Sequence, residues 1–445
     1  MMSARAIRAA LLLGTFAVLP GTAAAMTLSE AFERAQEHDP TIAASLAQLD
    51  ADQELGRQER GTLLPNVSAT AAYEYAKTDS TGRFFGKSKD QYPSWSAQLQ
   101  ARQPLFRLDW FARRDRASAL DSRARTQYRD RELQVLVRIA ERYFAVLVAQ
   151  DQLKQAVAEA EAVRESLQDT QERYAVELVP GTDLKEAQAR DDLAQTRLIS
   201  ARTSLRTAQD ALDEVTGSGY VDLPTLPEGV KLPPLTPSDI DQWVQAALEQ
   251  NPQVLMSRES VQIARADLRS AGSDAAPTLD LVGSVSHTDN SEYAFGQQND
   301  DSRIGLELNV PIYAGGINGA RRREAAARLR SAEADLRRVE LETARETRQG
   351  YREVENAYFE IEAMQRALES ALSAQAATQA GYDAGTRTIT DVLDAKSRVV
   401  QSRRDLNNTR YNLLLKVLQL RQLAGELVPQ DFGGIDQLLR AETAE

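Results

Sequence analysis

A chain of 445 residues, 42% hydrophobic, 27% charged and 6% aromatic, is long enough for about three ordinary domains. It holds no cysteine and only two histidines, His38 and His287. That excludes a disulfide scaffold and a thiolate site, and it argues against His-centred catalysis or a multi-His metal site. Lys+Arg 53 against Asp+Glu 65 leaves a net charge of −12, the wrong sign for binding by phosphate neutralisation, so no nucleic acid and no cofactor are expected.

Residues 1–25 read as a secretory signal: Arg5 and Arg8, an apolar run from Ala9 to Leu19, then Ala23-Ala24-Ala25 before Met26. With no cysteine, no lipid-acceptor Cys follows it. Beyond residue 25 no stretch approaches the roughly 18–20 apolar residues of a spanning helix. An opening helix is predicted over 27–61, started by a capping box at Thr27 and Glu30. Two strands follow, at about 64–76 and 94–103, joined by a polar loop around 77–92. Val67, Ala69, Ala71, Tyr73 and Tyr75 share one face of the first; Trp95, Ala97, Leu99 and Ala101 share one face of the second.

Long helices are predicted at about 110–174 and 183–216. Val146, Ala149, Leu153, Ala156, Ala160 and Val163 set a 3-4 spacing that Leu198, Ala201, Leu205, Ala208 and Leu212 continue after the turn. That is the coiled-coil period, and a helix of this length measures about 98 Å. Residues 217–237 hold five of the fifteen prolines and read as a linker. The order then repeats over 238–425: a helix from Asp239 to about Arg269, strands at about 277–288 and 302–310 with a loop around 290–301, and helices at about 317–382 and 391–424. A tail, 426–445, completes the chain.

The repetition is a duplication. Asp39-Pro40 and Asn251-Pro252 are 212 residues apart, as are Pro65 and Pro277. Tyr174, Thr182, Asp183 and Ala187 recur 208 residues later as Tyr382, Thr390, Asp391 and Ala395. The alternating strands fit a sheet with one face on a soluble core. They also fit membrane strands, because the second face is polar and Tyr73, Tyr75, Trp95 and Tyr313 sit near strand ends like an interfacial girdle. Two copies supply four strands, too few to close, so the membrane reading forces chains to pool them.

The segment from Ala380 to Ala395, AGYDAGTRTITDVLDA, resembles the periplasmic turn of TolC-type outer-membrane efflux and secretion channels. Pro311-Ile312-Tyr313-Ala314-Gly315-Gly316 resembles that family's strand-to-helix corner. The resemblance implies a mainly α fold with membrane β: a homotrimer with a 12-stranded β-barrel in outer-membrane lipid, continued by a long periplasmic α-helical coiled-coil tunnel. It implies a passive, non-enzymatic conduit for drugs or for proteins by type I secretion, docked to a periplasmic membrane-fusion adaptor and an inner-membrane ABC or RND-type transporter. By motif match, Asp391 and Asp394 fall on acidic constriction rings, and Asp183, Tyr382 and Arg387 on the network that closes the tip. Spacing alone allows a plainer reading, in which Thr388 and Asp391 form a capping box and acidic first turns answer the helix dipole. The first turn departs from the family pattern: Glu177 stands where Gly385 does in the second, and Pro180 enters it. The first strand-to-helix corner, Phe106 to Trp110, also lacks the Gly-Gly of the second. A soluble periplasmic coiled-coil adaptor is the competing reading, which explains the heptads and leaves the strands without a purpose.

Overall fold

The computed structural model describes residues 26–440 except 83–85, 218, 220–222, 228, 231 and 290–297. The signal over 1–25, most of the 290–301 loop and part of the linker therefore lie outside the described residues. Thr27 caps helix α1 (Leu28–His38) in the expected capping box with Glu30. The helix does not run on to residue 61. Pro40 lacks the N–H to continue it, so Asp39 closes α1 through its N–H to Ala35 (2.9 Å). The same residue's carboxylate accepts the Thr41 N–H (2.8 Å) and starts α2 (Pro40–Gly61). Asn251 does likewise between α5 (Ile240–Gln250) and α6 (Pro252–Ser273), accepting from Gln253 at 2.8 Å. The 212-residue repeat is thus a pair of proline-directed helix breaks with buried caps.

Four strands form one antiparallel sheet in chain order: β1 (Asn66–Gly82), β2 (Gly86–Phe106), β3 (Thr278–Asp289) and β4 (Gln298–Asn309). The first hairpin is longer than the sequence suggests, since pairing runs through Lys77↔Gln91 to Gly82↔Gly86 where a loop around 77–92 was expected. An antiparallel ladder satisfies its backbone groups internally and needs no apolar face to pair. Polarity there was therefore not a strand terminator. Register carries one apolar face across all four strands: Val67, Ala101, Gly283 and Ile304 lie in one row, and Ala69, Leu99 and Val285 in the next.

Two helices of 66 and 67 residues, α3 (Trp110–Ala175) and α7 (Ile317–Asp383), descend from the sheet, about 100 Å each. Helix α4 (Gly181–Thr216) folds back on α3, and α8 (Ile389–Ala424) on α7. Nearer the sheet α2 and α6 flank α3, with Arg116 paired to Glu59 and Ser122 to Glu259. The seams are those of the heptads: Ala160, Ala194 and Leu198 in one hairpin, Val354, Ala357, Ile361, Leu406 and Leu413 in the other. They are thin and alanine-rich, so the hairpins pack closely over a narrow line.

The broad core is a belt at mid-height where α1, the middle of α3, the linker and the end of α8 meet. The expected tail joins it as a helix, α9 (Asp431–Arg440), burying Phe432, Ile435 and Leu439. Its Asp436 carboxylate accepts the Leu28 N–H (2.8 Å), the Ser29 N–H (3.1 Å) and the Ser29 hydroxyl (2.5 Å). Phe432 meets Phe32 edge-on with ring centroids 5.9 Å apart. Gly425 (φ 75°) makes the sharp exit from α8, where a Cβ would fall 2.4 Å from the Gln250 carbonyl. Phe432→Ala should remove about 3–5 kcal/mol from the belt. Hydrogen exchange of the α1 and α9 amides checks this; unchanged protection would mean that α9 is not integral to the core.

Candidate functional site

The predicted site residues lie at the two ends of the long helices: on the sheet and at the distal turns. On the sheet, Tyr73 and Trp95 are direct cross-strand partners. They stand seven residues beyond Asn66, about 23 Å from the helical end. Tyr73 is 75% exposed, Tyr75 68% and Trp95 43%, and the Trp95 ring lies on His287 with centroids 4.7 Å apart. Tyr313, 87% exposed, follows β4 at the opposite, helical end with Ile312 beside it. Between these levels the apolar face presents Val67, Leu99, Val285, Ile304, Leu306 and Leu308 to the outside. The other face is polar. At its base Arg102 binds Asp280 (2.8 Å) and Glu307 (2.8 Å), and Arg107 reaches Asp280 at 3.3 Å. Among the described residues no helix is long and apolar enough to cross a membrane. No group of three His, Cys, Asp or Glu among them is placed to hold a metal.

At the distal end the two turns share a backbone despite their different sequences. Gly385 is left-handed (φ 74°), and Glu177, its counterpart, adopts φ 59°. The Leu178 N–H bonds the Arg173 carbonyl at 2.9 Å as the Thr386 N–H bonds Gly381 at 2.8 Å. The bonded ring that closes a helix outweighs the left-handed penalty of a glutamate. What differs is the cap. Thr388 and Asp391 form a full capping box at α8, with the Thr388 N–H and hydroxyl both donating to the carboxylate at 2.9 Å. Those bonds, the backbone one first, hold the Asp391 carboxyl below its usual range, with Arg387 and Arg398 assisting. Pro180 takes the equivalent position at α4 and has no N–H to give, so Asp183 has no reciprocal cap bond. Asp183 is exposed and accepts only from its neighbour Thr182, at 3.2 Å, among the described contacts.

Within one chain the five predicted tip residues do not form one cluster. Arg387 lies in the field of Asp391, its stem crossing so close to Gly381 that a Cβ there would meet it at 2.8 Å. Tyr382 lies in the field of Arg173 of α3, whose charge is held chiefly by Asp169 at 3.0 Å. Asp394 pairs with Arg190 of α4 at 3.2 Å. Among the described contacts Asp183 meets neither Arg387 nor Tyr382. Arg173 and Arg190 escaped the sequence reading because cross-hairpin pairing depends on how α3 and α4 are phased against α7 and α8. Spacing within one helix carries no such information.

The family model described as "Outer membrane efflux protein" matches residues 31–218 and 243–426, one block for each structural repeat. The chain belongs to that family. It is 33% identical to the outer membrane protein TolC of Vibrio cholerae, covering 92% of each chain. It is 29% identical to the alkaline protease secretion protein AprF of Pseudomonas aeruginosa, covering 92% of this chain and 86% of that one. Among solved structures, the outer membrane protein VceC of Vibrio cholerae shares the fold with a TM-score of 0.74 at 18% identity, covering 89% of this chain and 96% of that one. The protein is therefore an outer-membrane channel of the TolC type, a strand domain carried on a helical tunnel. This sets aside the soluble adaptor. The strained turn offers a direct check: Glu177→Gly should stabilise the tip by up to about 1 kcal/mol. Slower hydrogen exchange at Leu178 is the expected result, and faster or equal exchange would show that Glu177 is unstrained.

Proposed function

We propose that three copies of the chain pool their strands into a closed 12-stranded barrel in the outer membrane and their hairpins into a periplasmic tunnel gated at its tip. The observation that carries this is the sheet. It has four strands, an apolar face that crosses all four at the row Val67–Ala101–Gly283–Ile304, and β1 and β4 as edges. In hydrocarbon every unpaired backbone group on such an edge costs several kcal/mol, and pairing β4 of one chain with β1 of the next removes that cost. Tyr73, Tyr75 and Trp95 then mark the outer interface and Tyr313 the inner one, about a membrane's apolar height apart.

The tunnel is a passive conduit without catalysis. A periplasmic membrane-fusion adaptor and an inner-membrane ABC or RND-type transporter supply the energy and choose the cargo, small molecules or proteins. Support for protein cargo comes from the likeness to AprF, whose name is that of a protease secretion protein. At the tip, Asp391 and Asp394 line the bore in acidic rings. Asp183, relieved of capping by Pro180, is available to Arg387 of a neighbouring hairpin, and Tyr382 ties the inner hairpin to the outer one.

Single-channel recording of the purified protein in a planar lipid bilayer tests this. Discrete small steps with cation preference are expected; a protein that stays soluble without detergent and never inserts overturns the reading. Asp391→Asn with Asp394→Asn should lower the cation preference, because amides keep the shape and remove the charge. Asp391 stays ionised below the pH at which an ordinary carboxylate is neutralised, so its share of the preference should persist on acidification. Arg387→Ser should raise basal conductance by loosening the tip, and equal conductance of variant and wild type would sink that role.

A further inference from the structure

The ring carboxylate Asp394 is already engaged inside its own chain. Its Oδ1 accepts from Arg190 Nη1 at 3.2 Å, and Arg190 Nη2 is held by Glu186 at 2.9 Å one turn earlier on α4. Arg190 is half-buried in a cleft of about 480 Å³ between the two hairpins. Leu193 and Leu393 form part of its apolar wall. The pair thus bridges hairpin α3–α4 to hairpin α7–α8 close to the tip. Asp391, one turn away, differs in kind: its partner is its own N-cap, and no bond from it crosses between hairpins among the described contacts.

We propose that Arg190 is a gate-positioning residue, whose ion pair with Asp394 holds the two hairpins of one chain together in the closed tip. Asp394 then serves two ends in turn. With the hairpins together one of its oxygens is shared with Arg190; when they part its charge is released wholly to the bore, so the second acidic ring strengthens as the channel opens. By linkage, whatever cation binds the released carboxylates favours the open tip. This rests on the reading that Asp394 lines the bore and that the tip gates.

The test is a conductance cycle in planar bilayers on the full-length channel at low salt, where an exposed pair is least screened. Arg190→Gln and Asp394→Asn should each raise basal conductance by roughly 1.5- to 5-fold, the span to which an exposed ion pair corresponds. The double variant should rise no further than either single one, because one bond is being broken twice. Exchanging the charges, Arg190→Asp with Asp394→Arg, should return conductance toward wild type, which neither general charge removal nor local misfolding would do. Singles that leave conductance unchanged, or effects that simply add with no recovery on exchange, overturn the proposal. If Arg387→Ser raises conductance and Arg190→Gln does not, the tip gates without Arg190 and only this inference falls. If neither variant raises it, the gated tip falls as well.

Discussion

A β-sheet edge exposed to hydrocarbon has no solvent to satisfy it, and that constraint organises this protein. Four strands cannot close on themselves. In the proposed barrel the sheet is incomplete and identical in every copy, so that β4 of one finds β1 of the next. The rest of the architecture follows. A pooled barrel places each chain's two long helices around a common axis. Helices about 100 Å long with narrow alanine seams then pack as the wall of a tube and leave no conventional core. Among the described residues the broadest apolar core is the mid-height belt where short helices and the linker wrap around that wall.

Much of this was legible in the chain because duplication and periodicity are local signals. The heptads from Val146 and from Val354 gave both hairpins and their length. The paired Asp39-Pro40 and Asn251-Pro252 marked the register of the two copies. Other features were not legible, each for a physical reason. The amphipathic run extends across Asp39 and so predicts one helix, while the missing Pro40 N–H breaks it there. Residues 77–92 carry no apolar alternation to mark them as strand, because hydropathy reports burial and backbone pairing needs none. Helix α9 leaves little trace in the sequence: its ten residues carry too few turns for a periodic signal, and the Leu28 amide that Asp436 accepts from lies 408 residues away.

The tip shows how a duplicated motif diverges under a shared backbone requirement. Both turns need a left-handed residue and a bonded ring to leave the helix, and both have them, one with Gly385 and one with Glu177. Only the caps differ. Thr388 commits Asp391 to its own helix, while Pro180 leaves Asp183 uncommitted. Within one chain the three acidic residues stand in unequal surroundings: Asp391 caps its own helix, Asp394 pairs with Arg190 of the other hairpin, and Asp183 accepts only from Thr182 among the described contacts. No inspection of spacing separates those three, because what distinguishes them is a missing N–H and the phase of a packed helix.

The clasp of Asp436 on Leu28 and Ser29 has a consequence for biosynthesis. The first described helix is finished by a carboxylate close to the last described residue, across a separation of 408 positions. A chain delivered from its N-terminus therefore carries an unsatisfied α1 until nearly all of it has arrived, and loop closure over that span is slow. The belt is therefore incomplete until the last helix arrives: a chain lacking α9 leaves Phe32 without its edge-on partner Phe432 and the Leu28 and Ser29 amides without the Asp436 carboxylate.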